Sequence, residues 1–315
     1  DRCLDMVKML ISHGSSLSSI AGNPLTSQYI IDCIMGWCYT GLIPAPCLVP
    51  DTVAQRLDAC LAGGVPESRP WIVSVTGSGG KTTAIEHLAR YWEKQGHRVL
   101  VTTTTKMTHP DNHDYPFLSR QLQSQAYQQE AEPIYGATVL YGVSAGNKML
   151  PVGSDLLRRS IERFDRVLIE ADGARGLPLK IHSERDPVIV EETTAVLAVM
   201  GLQAWGKRLD ERTLYLSSRY RMLTEDASER VDLNTYRRLL EHPEGVFKRC
   251  GNRHVVLCCN QSDEVDATVC EQIMMELGCG WVGRSYRLLC CSLHAGSVVA
   301  YREVNGEGGS AGELV

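Results

Sequence analysis

Trp71-Ile-Val-Ser-Val-Thr-Gly-Ser-Gly-Gly-Lys-Thr-Thr83 is the stretch on which the reading of this chain turns. Residues 71–75 are an apolar run of strand length. Gly77, Ser78, Gly79 and Gly80 make a glycine-rich turn, Lys81, Thr82 and Thr83 follow, and 84–95 has helical character. Strand, glycine turn, Lys-Thr and helix are the layout of a phosphate-binding loop. Glycines let several backbone N–H groups converge on a phosphate. The helix N-terminus adds unpaired donors and the positive end of its dipole. In such a loop Lys81 reaches the β- and γ-phosphate oxygens and the Thr82 hydroxyl sits on Mg2+.

The long spacing G-x-x-x-x-G-K-[ST] asks for glycine at 75, where this chain has Val75. The loop V-T-G-S-G-G-K-T-T (75–83) is instead similar to the shortened loop of Mur-type peptide ligases. An ordinary strand–turn–helix corner with a surface lysine is the competing reading, and the Gly-Gly-Lys-Thr-Thr sequence at this junction argues against it.

The chain's 315 residues suffice for one large α/β domain with an appendage, or for two domains. With 32 basic and 37 acidic side chains, a net charge of −5 and no basic run, composition gives nucleic-acid binding no support. No apolar stretch is long enough to span a membrane. The chain opens on Asp1 and Arg2, which do not suit a signal peptide, and without an initiator Met, so a fragment or a processed protein is expected. Its 12 cysteines fall into two groups separated by 61–249 and include no C-x-x-C. They read as buried, reduced thiols of a cytoplasmic protein. His109 and His113 are four apart in a loop broken by Pro110, which suits a surface role better than zinc.

Residues 1–69 read as a small helical appendage with no assignable chemistry, including a helix over 52–61 capped by Asp51. Ala62-Gly-Gly-Val-Pro66 breaks that helix ahead of a nucleotide-binding domain expected over 70–302, with a frayed tail at 303–315. From 70 onward strands and helices alternate. Strands are expected at 98–105, 134–141, 166–171, 194–200, 254–259 and 286–291. Helices are expected at 117–130, 155–164, from 232 or 234 to 241, and at 264–277. This pattern predicts an α/β fold, a mostly parallel sheet with helices on both faces. Such sheets bind ligands at the carboxyl ends of their strands.

Those strand ends carry the remaining signals. The second strand runs into Thr102-Thr-Thr-Thr105-Lys106. Alternation lets only the last hydroxyls reach a site, so Thr105 and Lys106 are the candidates for phosphate or Mg2+ contacts. The strand at 166–171 ends in Glu170-Ala-Asp172-Gly-Ala-Arg175-Gly. Glu170 and Asp172 share a face there. One would hold Mg2+ and the other orient an attacking water, while Arg175 neutralises phosphate charge. The strand at 254–259 leads into Asn260-Gln-Ser-Asp263, similar to the N-K-x-D guanine-reading motif of GTPases with Gln261 for lysine. Two readings stand: Asp263 accepts from guanine N1–H and N2–H2, or it caps the following helix.

In this order, these stretches resemble the YqeC family, named as accessory proteins of selenium-dependent molybdenum hydroxylases. V-T-G-S-G-G-K-T-T (75–83), V-L-V-T-T-T-T-K-M (99–107), E-A-D-G-A-R-G-L-P-L-K (170–180), V-M-G-L-Q-A-W-G-K (199–207) and N-Q-S-D (260–263) carry the resemblance, over about 70–291. It implies a bacterial cytoplasmic protein serving a molybdenum hydroxylase or its maturation proteins, and no particular reaction. Residues and resemblance together predict a P-loop NTPase-like protein that binds Mg2+ and GTP or ATP. An ATP-dependent, Mur-like ligase forming an acyl phosphate and a non-catalytic nucleotide-dependent chaperone are the competing classes.

Overall fold

The structure, a computed structural model, describes residues 43–44, 52–63, 70–109, 122–124, 129–224, 227–280 and 282–306. The strand of the glycine loop, β1 (Trp71–Gly77), lies in the middle of the main sheet, and all seven of its residues are buried. Full burial is what a continuous apolar run implies for a strand covered on both faces. On one side β1 pairs in parallel with β6 (Arg166–Glu170), then β2 (Arg98–Thr103), then β4 (Ala137–Ala145). On the other it pairs in parallel with β8 (Ala195–Gly201), followed by β10 (His254–Asn260) and β11 (Tyr286–Ser292). An antiparallel strand, β12 (Ser297–Val304), closes that side. Shorter strands are β3 (Met107–Thr108) and β5 (Lys148–Leu150), which pair beside β4, and the pair β7 (Leu179–Lys180) and β9 (Leu214–Tyr215). The expected α/β class with a mostly parallel sheet is the observed one.

The period of two sorts the core. Trp71, Val73 and Val75 pack with α1 (Val53–Ala62) and α2 (Lys81–Lys94), whereas Ile72 joins α3 (Ser154–Ile161) on the opposite face. Val196, Ala198 and Met200 of β8 meet a third apolar group with α5 (Leu233–Glu241) and α6 (Ala267–Leu277). A short helix, α4 (Ser217–Leu223), stands outside the sheet.

The expected boundary near 69 lies outside the described residues, as do residues 1–42 and 45–51 of the appendage and the tail from 307. Residues 43–44 form a two-residue strand on the edge of β12. α1 packs directly on α2 through Val53, Leu57, Cys60 and Leu61. Its cap is Thr52, not Asp51: the Thr52 hydroxyl accepts from Gln55 N–H, and the Gln55 side chain accepts from the Thr52 amide. Trp92 of α2 locks the pair, with its Nε1 donating to Asp58 Oδ1 at 2.6 Å and its ring edge-on to Trp71. Trp92→Ala removes a fully buried ring, and a loss of about 3–5 kcal/mol is expected in urea unfolding. A shift below about 1 kcal/mol would mean that this corner repacks freely.

Three local readings differ from the structure. Within 117–130, where a helix is expected, residues 122–124 pair in parallel with β4, and most of the rest lies outside the described residues. The helix expected from 264 starts at Ala267, because Gln261 turns left-handed and 262–264 form a separate 3-10 turn. β12 reaches Val304 inside the segment read as domain end and tail. Seven of the eight described cysteines are buried free thiols and Cys279 is exposed. No described helix is long and apolar enough to cross a membrane.

Candidate functional site

The carboxyl ends of β1, β6, β8 and β10 converge on the glycine loop. Gly77 and Gly79 have positive φ, and a side chain on either would strike backbone: the Val199 carbonyl for Gly77, Gly201 for Gly79. The loop is pinned by its first amides. Gly77 N–H donates to Asp172 Oδ2 at 2.8 Å, Ser78 N–H to Val199 O at 2.9 Å, and Gly79 N–H to Leu177 O at 3.0 Å. The Ser78 hydroxyl adds a bond to Pro178 O. Downstream, α2 begins without a side-chain cap. Lys81, Thr82 and Thr83 thus bring their N–H groups to an uncapped helix start, where an anion is favoured.

Lys81 folds back over this loop. Its Nζ donates to Gly77 O at 2.8 Å and lies 3.1 Å from Asp172 Oδ1. Asp172 is fully buried and also meets Lys180 Nζ at 3.2 Å and His182 Nε2 at 2.8 Å. Burial alone would raise its pKa, but Lys81, the His182 hydrogen bond and Lys180 outweigh burial and hold the carboxyl well below the ordinary aspartate range. The other His182 nitrogen, Nδ1, faces Gly245 O at 2.8 Å. Both partners of the ring, Asp172 Oδ2 and Gly245 O, are oxygens that can accept.

Glu170 behaves oppositely. Its Oε2 lies 3.5 Å from the Thr82 hydroxyl. Burial raises its pKa above the ordinary glutamate range, with Asp172 adding to the rise and Lys81 opposing it. It is a buried carboxylate whose charge the protein does not fully offset, beside a hydroxyl. Two hard oxygen donors in that state suit a divalent cation such as Mg2+. Among the described residues there is no cluster of three or more His, Cys, Asp or Glu side chains arranged for a metal.

The other candidates fall around this centre. Thr105 has a buried hydroxyl with no hydrogen-bond partner, and Lys106 is exposed. The preceding threonines are structural: Thr102 bonds Tyr141 O, Thr103 bonds Glu170 O and Thr104 bonds Val188 O. Arg175, left-handed at φ 53°, is exposed with its guanidinium 5.5 Å from the Tyr215 ring centre. Asn260 is buried and clamps the loop. Its Nδ2 donates to Gly79 O at 2.7 Å, and its Oδ1 accepts from Leu293 N–H at 2.9 Å. Asp263 is exposed in the 262–264 turn and accepts no hydrogen bond from a described residue. It is not the helix cap, since Asp266 occupies that position.

The segment 73–217, from β1 to the start of α4, matches the family model described as YqeC protein. The "Uncharacterized protein YqeC" of Escherichia coli strain K12 is 34% identical over 187 residues, which are 58% of this chain and 72% of that protein. The chain belongs to the YqeC family. The matched YqeC segment holds the glycine loop, Glu170, Asp172, Lys180 and His182, while Asn260 and Asp263 lie beyond it. Lys180 and His182 are the residues that sequence reasoning missed. The signal available was their spacing: two apart on an extended segment, they share a face just after the acidic strand end.

Proposed function

We propose that this YqeC protein binds a nucleoside triphosphate with Mg2+ and hydrolyses it. The observation that carries the reading is the convergence of Lys81, Thr82, Glu170 and Asp172 on one glycine loop. The uncapped start of α2 receives the phosphates, and Lys81 turns from Gly77 O and Asp172 toward their oxygens. Thr82 and Glu170 are the residues that hold Mg2+. When bound, Mg2+ neutralises phosphate charge as it develops in phosphoryl transfer. Asp172 keeps Lys81 and the Gly77 amide in place, with Lys180 and His182 behind it. Asn260 holds the far side of the loop.

The family resemblance extends the proposal to a cytoplasmic role in maturing a selenium-dependent molybdenum hydroxylase. Turnover measured with and without a hydroxylase partner tests that extension. A rate that no hydroxylase or maturation protein alters counts against it.

Asp263 favours GTP over ATP in this reading, since its exposed carboxylate is open to the paired donors of guanine. Competition binding of GTP, ATP and xanthosine triphosphate, with and without Mg2+, tests both metal and base. GTP is expected to lead ATP by roughly twofold to tenfold, the net worth of about 0.5–1.5 kcal/mol for a hydrogen bond to an exposed group. Asp263→Asn is expected to move the preference to xanthosine triphosphate, whose position-2 carbonyl accepts from the new amide. Equal affinities unmoved by the substitution would remove the guanine reading, and no binding of any triphosphate would remove the whole proposal.

A further inference from the structure

Beyond the phosphate loop, a cavity of about 490 Å3 opens between the 175–177 segment and the start of α4. Its volume lies in the range of small-molecule sites. Leu177, Tyr215, Leu216 and Met222 give it apolar walls, and Arg175 and Arg219 give it two cations. Met222, 79% exposed, stands at the rim of the cavity. Arg175 has no carboxylate partner among the described residues and lies over the Tyr215 ring. Arg219 touches Glu244 only at 3.5 Å, and its Nε is buried with no acceptor. Arg219 thus brings the cavity wall a cation that Glu244 holds only loosely, and with Arg175 it favours an anion there. Among the described residues, two of the four non-glycine residues with positive φ, Arg175 and Leu216, stand in these walls. Such backbone conformations concentrate where a ligand is clamped.

The cavity is joined to the nucleotide site by the chain itself. Leu177 lines the cavity with its side, while its carbonyl accepts the Gly79 N–H of the phosphate loop. Tyr215 is in register with Lys180, which contacts Asp172. We propose that this cavity seats a second substrate: a small organic anion with an apolar or aromatic body, its carboxylate or phosphate held by Arg175 and Arg219. The term second substrate rests on the nucleotide reading above; the anion site does not. Glu211, shared with an adjoining cavity of about 500 Å3, accepts from the Ser218 hydroxyl at 3.1 Å at the start of α4 and repels an anionic end from that part of the lining.

Fluorescence titration of the full chain with 8-anilinonaphthalene-1-sulfonate, an aromatic anion, tests the site without nucleotide. One saturable site is expected. Arg175→Glu and Met222→Asp, both at exposed positions, are each expected to weaken it by about tenfold or more. Met275→Asp, at an exposed apolar position on α6, is expected to leave it within about twofold. The neutral analogue N-phenyl-1-naphthylamine is expected to bind more weakly and not to distinguish the parent from Arg175→Glu. Parent-like affinity in both cavity variants, or an equal loss in Met275→Asp, overturns the proposal. So does loss of the probe site in Lys81→Ala, which would place the probe at the phosphate loop. A chain that binds the probe as expected but no triphosphate keeps the anion site and loses the second-substrate role.

Discussion

Lys81→Ala is expected to abolish detectable binding of any nucleoside triphosphate while leaving a folded protein. Lys81 is the one loop side chain that brings full positive charge to the phosphates, and charge-assisted bonds of this kind are the strongest available there. The fold survives because Asp172, the buried carboxylate that Lys81 faces, keeps Lys180, His182 and the Gly77 amide. The expected stability loss is about 1–3 kcal/mol, the scale of one lost charged contact. Calorimetric titration alongside thermal unfolding reads both quantities. A folded Lys81→Ala protein that still binds triphosphate as tightly as the parent would end the phosphate-loop assignment.

The two carboxylates are expected to part company with opposite signs. Glu170→Gln should leave the protein at least as stable as the parent at neutral pH, because burial works against the Glu170 charge. Its triphosphate affinity should fall to the level the parent shows without Mg2+. Asp172→Asn should cost about 3–5 kcal/mol, since Lys81, Lys180, His182 and the Gly77 N–H all contact that carboxylate. The pH dependence carries the same contrast. Asp172, with a depressed pKa in the folded state, contributes stability that is complete above the ordinary aspartate pKa. That contribution is lost as pH falls through the depressed value. Glu170, with a raised pKa, contributes in the opposite sense: its stabilisation is present below the ordinary glutamate pKa and lost as pH rises through the folded value. Acid unfolding that is identical in parent and Asp172→Asn would show that the buried network is not the acid-sensitive element.

What the sequence shows of this site follows from range. The glycine loop and Glu170–Asp172 lie within a few residues of a strand end, and a strand with its turn can be read locally. The partners of Asp172 cannot. His182 reaches it only because the chain doubles back after Arg175, and its second nitrogen finds Gly245 in another segment. Asn260 shows the same limit. A strand followed by N-x-x-D points to a base, yet the Asn260 side chain spans Gly79 and Leu293, two positions far apart in the chain. Of the four threonines at 102–105, the consecutive Thr102, Thr103 and Thr104 put their hydroxyls on backbone carbonyls and the Thr105 hydroxyl has no partner, a division that alternation alone does not give. β12 gives no clear strand signal in the sequence because half-buried alternation in 297–304 is a weak pattern beside the apolar strands.

The central position of β1 has a consequence for how the chain is made. Both neighbours of this strand, β6 and β8, lie far downstream. A ribosome must add residues 78–165 before β6 exists to pair with β1, a wait of roughly 5–20 s at cellular elongation rates. Throughout that time a largely apolar strand and its glycine loop are without their sheet. The nascent chain is therefore a natural client for a holdase, and the protein's yield should depend on translation speed across 78–165 more than on its final stability.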